Sequence, residues 1–309
     1  MKSRLWLGYA LTTMVFWGVW GAFTGIPAER GFPETLIYCV WALTMIPPAI
    51  IALKLIDWKL EYDRKSVVLG LIIGFLGAGG QMILFHAVTI GPTYLIFPII
   101  SLSPIITIGL SYALLEERTG FAGAIGILLA LIALPLFNYS GGGQDAEYGS
   151  AWFVLAFLVL VAWGLQAYFM KLSNRSMRAE SIFFYMTVTG LMLVPMALYM
   201  TDYSQPINWS ADGPALAAAI QILNAIGALC LVYAFRYGKA LVVSPMTNAG
   251  APLMTALIAL VVLGVVPSSL KIAGIVLALT AAVLLAVEPE EAGAEPGAGT
   301  GTEPGVEPG

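Results

Sequence analysis

The stretch VFWGVWGAF at residues 15–23 returns as VAWGLQAYF at residues 161–169, with Trp17-Gly18 falling on Trp163-Gly164 and Phe23 on Phe169. Further along, LFHAVTIGPTYLIFPI (84–99) lies over LVYAFRYGKALVVSPM (231–246), placing Ala87 on Ala234, Gly91 on Gly238 and Pro98 on Pro245. SPIIT (103–107) then meets APLMT (251–255), Pro104 on Pro252, and Gly126 meets Gly274. No single match is compelling. Their common order and the nearly constant offset of 146 to 148 residues read as an internal duplication.

Of the 309 residues, 59% are hydrophobic and only 10% charged, with a mean hydropathy of +0.88. A soluble domain needs more charge on its surface than this. The apolar residues come in runs of about 20, the length that crosses a bilayer. The fold class expected is an all-α polytopic membrane protein. Ten spans fall near residues 5–25, 34–53, 67–88, 93–115, 120–137, 150–170, 181–200, 214–235, 240–263 and 270–287. The first run, behind Lys2 and Arg4, lacks a small-residue cleavage site and reads as a retained helix.

Charge fixes the expected orientation. Twelve of the fourteen Lys and Arg fall in segments on the side of the N-terminus, and only Arg30 and Lys271 on the other. Positive residues concentrate on the cytoplasmic face, so both termini are expected there, in the inner (cytoplasmic) membrane. Each half holds five spans, an odd number, so the second half enters in the opposite sense. Ten transmembrane helices as two inverted five-helix repeats are the geometry of alternating access. The expected divisions are a first repeat at 1–137, an external linker at 138–149, a second repeat at 150–287 and an acidic Pro/Gly-rich tail at 288–309. That tail cannot bury apolar surface and reads as disordered and cytoplasmic.

Within this frame the chain resembles the drug/metabolite transporter superfamily, specifically its EamA-type members. The resemblance rests on Trp17-Gly18, Trp163-Gly164 and the run SLSPIITIGLSYALLEERTGFAGAIGILLALIAL (101–134). That run carries a proline in the fourth span (Pro104), a glutamate at its end (Glu116 or Glu117) and glycines in the fifth (Gly123, Gly126). The second half follows it at 244–279, with the glutamate replaced near Gly264-Val265. The resemblance covers residues 5–287 and implies a ten-helix transporter of two repeats.

Transport needs polar or aromatic groups near the midplane, where each unpaired polar group costs several kcal/mol. The candidates for substrate binding are Trp20, Gln166, Trp17, Trp163, Gln81, Tyr94, Asn224 and Asn248; Gln221 has the same character. Each amide could equally serve a helix–helix hydrogen bond. Gln166 occupies the repeat position of Trp20, so the halves differ there, whereas Trp17 and Trp163 are shared scaffold. His86 is a candidate proton relay, weighed against a structural histidine near a span end. Pro98, Pro104, Pro245 and Pro252 pair across the repeats and read as hinges or gates. No Asp or Glu lies in the middle of any span, so proton coupling through a buried carboxylate is not expected. Glu116-Glu117-Arg118 reads either as a solvated turn or as an ionic lock on one state.

Cys39 and Cys230 sit in apolar runs outside any CxxC spacing and read as inert thiols. With one histidine in the chain, neither a metal site nor a cofactor is expected. The expected partners are a small-molecule solute and membrane lipid, not nucleic acid; a homodimer stays open. These readings converge on a secondary transporter, exporting a small organic metabolite. The rivals are a membrane-embedded enzyme, a non-transporting sensor or assembly protein on the same fold, and, within transporters, a sugar or nucleoside facilitator.

Overall fold

The computed structural model describes residues 4–91, 96, 99–138, 151–262 and 268–287, which form helices and, among the described residues, no strand. The first half holds α1 (Leu5–Phe23), α2 (Ile26–Glu29), α3 (Glu34–Thr44), α4 (Ile46–Leu55), α5 (Arg64–Ile90), α6 (Pro104–Leu114) and α7 (Phe121–Asn138). The second holds α8 (Ala151–Ser173), α9 (Ala179–Met192), α10 (Val194–Met200), α11 (Pro214–Tyr237), α12 (Ala240–Val262) and α13 (Ser269–Ala286). Six stretches, including Glu34–Leu55 and Pro214–Tyr237, are long and apolar enough to cross a membrane. Large apolar side chains such as Phe121 (84% exposed) and Val283 (67%) face outward, as lipid-facing residues must. The tail and the 139–149 linker lie outside the described residues.

Two spans are broken at equivalent places. Pro47-Pro48 divides α3 from α4, and Pro195 divides α9 from α10, because a proline removes a donor and bends the helix. The joints match in detail: Met45 N donates to Trp41 O and Leu193 N to Thr189 O, both at 3.2 Å.

The duplication seen in sequence recurs in packing. α1 lies against α11 and α12, and its counterpart α8 lies against α5 and α6, while α7 packs on α13. The Trp-Gly pairs make these crossings. Thr255 Oγ1 donates to the Gly18 carbonyl and Thr107 Oγ1 to the Gly164 carbonyl, each at 3.0 Å. A Cβ at Gly18 would lie 2.2 Å from that of Met254, and one at Gly164 would lie 2.5 Å from that of Ile106. Small residues there let the backbones approach closely enough for these bonds.

Candidate functional site

The two tryptophans of the Trp-Gly pairs take matching seats. Trp17 Nε1 donates to the Asn224 carbonyl at 3.1 Å, and Trp163 Nε1 donates to the Gly77 carbonyl at 3.3 Å. Each indole rests on the glycine one turn further along the facing helix, Gly227 or Gly80, where a Cβ would come within 2.4 or 2.5 Å of the ring. Both indole donors are thus spent on backbone.

One residue-turn onward the symmetry ends. Trp20 Nε1 donates to Gln221 Oε1 at 3.0 Å, and Gln221 Nε2 reaches Thr24 Oγ1 at 3.3 Å. Trp41 Nε1, from α3, donates to Asn224 Oδ1 at 2.8 Å. Asn224 is half-buried, and its Nδ2 makes no hydrogen bond to another described residue. The counterpart of Trp20, Gln166, lies with its amide over Gly77; it too is half-buried and without such a bond. α1, α3 and α11 therefore carry an ordered indole–amide network where α5 and α8 carry an unpaired amide.

The remaining candidates are more scattered. Gln81 is half-buried on α5, and His86 is exposed one turn before that helix ends. Asn248 Nδ2 donates to the Ser244 carbonyl at 2.9 Å, its own helix's bond. Pro104 opens α6; Pro245 and Pro252 lie inside α12, so Pro252 removes the donor that would face the Asn248 carbonyl. Tyr94 and Pro98 fall outside the described residues. Trp41, Thr24, Thr107 and Thr255 escaped the sequence reading, since a lone tryptophan or threonine in an apolar run has no distinguishing spacing.

A second cluster sits at the end of the bundle where α8 and α11 finish. Glu116 takes a left-handed backbone (φ 58°), which turns Glu117 inward. The Glu117 side chain is fully buried, and its two oxygens accept the Ala240 and Leu241 amides at 3.0 Å each. It therefore caps the start of α12, where orphan amides and the helix dipole favour an anion. Lys171 Nζ lies 3.7 Å from Glu117 Oε1 and donates to the Gly238 carbonyl at 2.7 Å. In Glu116-Glu117-Arg118, Glu116 is exposed as in a solvated turn, whereas Glu117 is buried beside Lys171. Asn174 Nδ2 to Val232 O (3.1 Å) and Lys239 Nζ to Arg118 O (2.7 Å) tie the same elements. On α1 and α11, Tyr9 stacks between Tyr233 and Tyr237, with centroids 4.8 and 6.0 Å away. Tyr233 donates to Glu180 Oε1 at 2.5 Å.

At the opposite end the ties are lighter. Arg30 meets Asp212 at 3.6 Å with both half-exposed, and Asn208 binds the Arg30 and Gly31 carbonyls. Among the described residues no hydrogen bond joins α1 to α5, the repeat counterpart of the α8–α11 crossing.

This is a multi-pass membrane protein built on two inverted five-helix repeats. Residues 4–139 and 150–287 match the model of the EamA-like transporter family, one match per repeat, and the chain belongs to that family. An uncharacterized protein of Methanocaldococcus jannaschii is 30% identical over 140 residues, covering 45% of this chain and 99% of that protein. A crystal structure 18% identical superposes with a TM-score of 0.74, over 93% of this chain and 99% of the other. It shares the fold.

Proposed function

We propose that the protein is a secondary transporter that carries a small neutral or zwitterionic organic solute across the cytoplasmic membrane by alternating access. The observation that carries this is the single-ended closure: among the described residues, Glu117, Lys171 and Asn174 bind α8 to α11 and α12 at one end and no such cluster is seen at the other. With twelve of fourteen cations assigned inside, the closed end is cytoplasmic and the solute path opens outward. Trp20, Gln166, Gln81, Asn224 and Asn248 supply aromatic and amide contacts along it, with no fixed charge to hold a multivalent anion. The same groups suit an exporter whose solute leaves through the outer opening.

The test is flux in proteoliposomes against a panel of amino acids, nucleosides, sugars and aromatic amines. A solute moved by the wild type should move at least about tenfold more slowly through Gln166→Ala, with equal membrane insertion, because an amide used for recognition is lost. No flux for any class, with correctly folded protein, would favour a sensor or assembly role.

A further inference from the structure

Between the first turn of α5 and the last turn of α8 lies a recess of about 840 Å³. Arg64, Lys65 and Arg175 line its rim, and Val68, Leu69 and Leu172 form its apolar wall. Among the described residues, no acidic one lines it. The carboxylates close by in sequence have partners of their own: Asp63 accepts the Lys65 and Ser66 amides at 3.1 Å, and Glu61 pairs with Arg178 at 3.4 Å. Arg175 gives one N–H to the Leu115 carbonyl at 3.1 Å and keeps other donors. The Arg64 and Lys65 side chains make no ion pair or hydrogen bond within the described residues.

Three cations above an apolar wall, where a spanning helix leaves the hydrocarbon, define an amphipathic ligand. Val68 is 47% exposed at this level. A soluble anion would use the cations and leave the wall bare, whereas a phosphate ester carrying an acyl chain would cover both. We infer that this recess binds the headgroup of an acidic phospholipid, the phosphate on Arg64, Lys65 and Arg175 and a chain along Val68, Leu69 and Leu172. Basic pockets at the ends of membrane helices recognise such lipids through charge. The inference is independent of the transport reading.

Native mass spectrometry of the full-length protein with phosphatidylglycerol or phosphatidylcholine of equal chain length tests it. Phosphatidylglycerol should be retained at least tenfold better. Removing a cation at a membrane surface should weaken this about fivefold, so Arg64→Gln with Lys65→Gln should lose roughly 25-fold. Val68→Ser, which removes apolar wall and adds no charge, should lose retention as well, while Lys54→Gln, a cation outside the recess, should leave it unchanged. Equal retention of the two lipids, wild-type retention in both recess variants, or displacement of phosphatidylglycerol by inorganic phosphate would overturn the assignment.

Discussion

Removing the Lys171 ammonium would take away the cation 3.7 Å from the buried Glu117 carboxylate, whose oxygens also accept the Ala240 and Leu241 amides. Breaking a buried pair from one side costs about 3–5 kcal/mol, most of it the penalty on the stranded charge. Lys171→Met should therefore lower the thermal midpoint in detergent clearly, and adding Glu117→Gln should recover part of the loss. A double variant no better than the single one would mean that the pair contributes little beyond the cap. This residue was half legible. Two adjacent glutamates stand in the sequence, but only the left-handed turn at Glu116 decides which of them enters the protein. Lys171 reads as an ordinary cation at a span end, because nothing in its neighbours announces a carboxylate more than fifty residues away. At the opposite end, Asp212 is held below the usual carboxylate range by hydrogen bonds from Ser210, then Asn208, with Arg30 adding to it. A depressed carboxyl contributes stability above its unfolded value and loses it as pH falls through the folded one. Hydrogen-exchange protection in the 207–213 loop, corrected for the intrinsic rate at each pH, should accordingly fall only in acid, and Asp212→Asn should abolish that acid dependence.

The helix crossings carry the strongest agreement between sequence and structure. Trp17 and Trp163 recur because one geometry is needed twice: an indole laid on a glycine of the facing helix, with its N–H on the carbonyl one turn away. A Cβ added at Gly80 or Gly227 would enter the ring's own space. Gly80→Ala and Gly227→Ala should each destabilise by about 1–3 kcal/mol, the range for overpacking, with comparable shifts in thermal midpoint. Unequal shifts would show that the two seats are not mechanically equivalent. The threonine clamps on Gly18 and Gly164 belong to the same crossings yet were invisible, since Thr107 and Thr255 differ from other membrane threonines only in what faces them. Span positions were legible from apolar runs. The breaks at Met45 and Leu193 fall inside single expected spans, 34–53 and 181–200, and were not legible.

Across the whole molecule the two ends are not equivalent, although the halves are. The repeat positions of Lys171 and Gly238 are Gly25 and Gly91, and Glu117 falls on Val265, so these positions offer no matching ion pair at the opposite end. With Cys39 and Cys230 replaced, a cysteine at exposed Gly25 should react readily with an impermeant maleimide from outside. Lys171→Met should slow that reaction by releasing the inner closure; an unchanged rate would separate the ion pair from gating. The asymmetry has a kinetic consequence. In the transport cycle proposed above, a chain closed at the Glu117 end takes solute from the other side first, so solute supplied there should be occluded in a rapid first burst. Solute supplied inside must instead await rupture of the Glu117 cap and the Lys171 contact together, and its first turnover should begin after a lag.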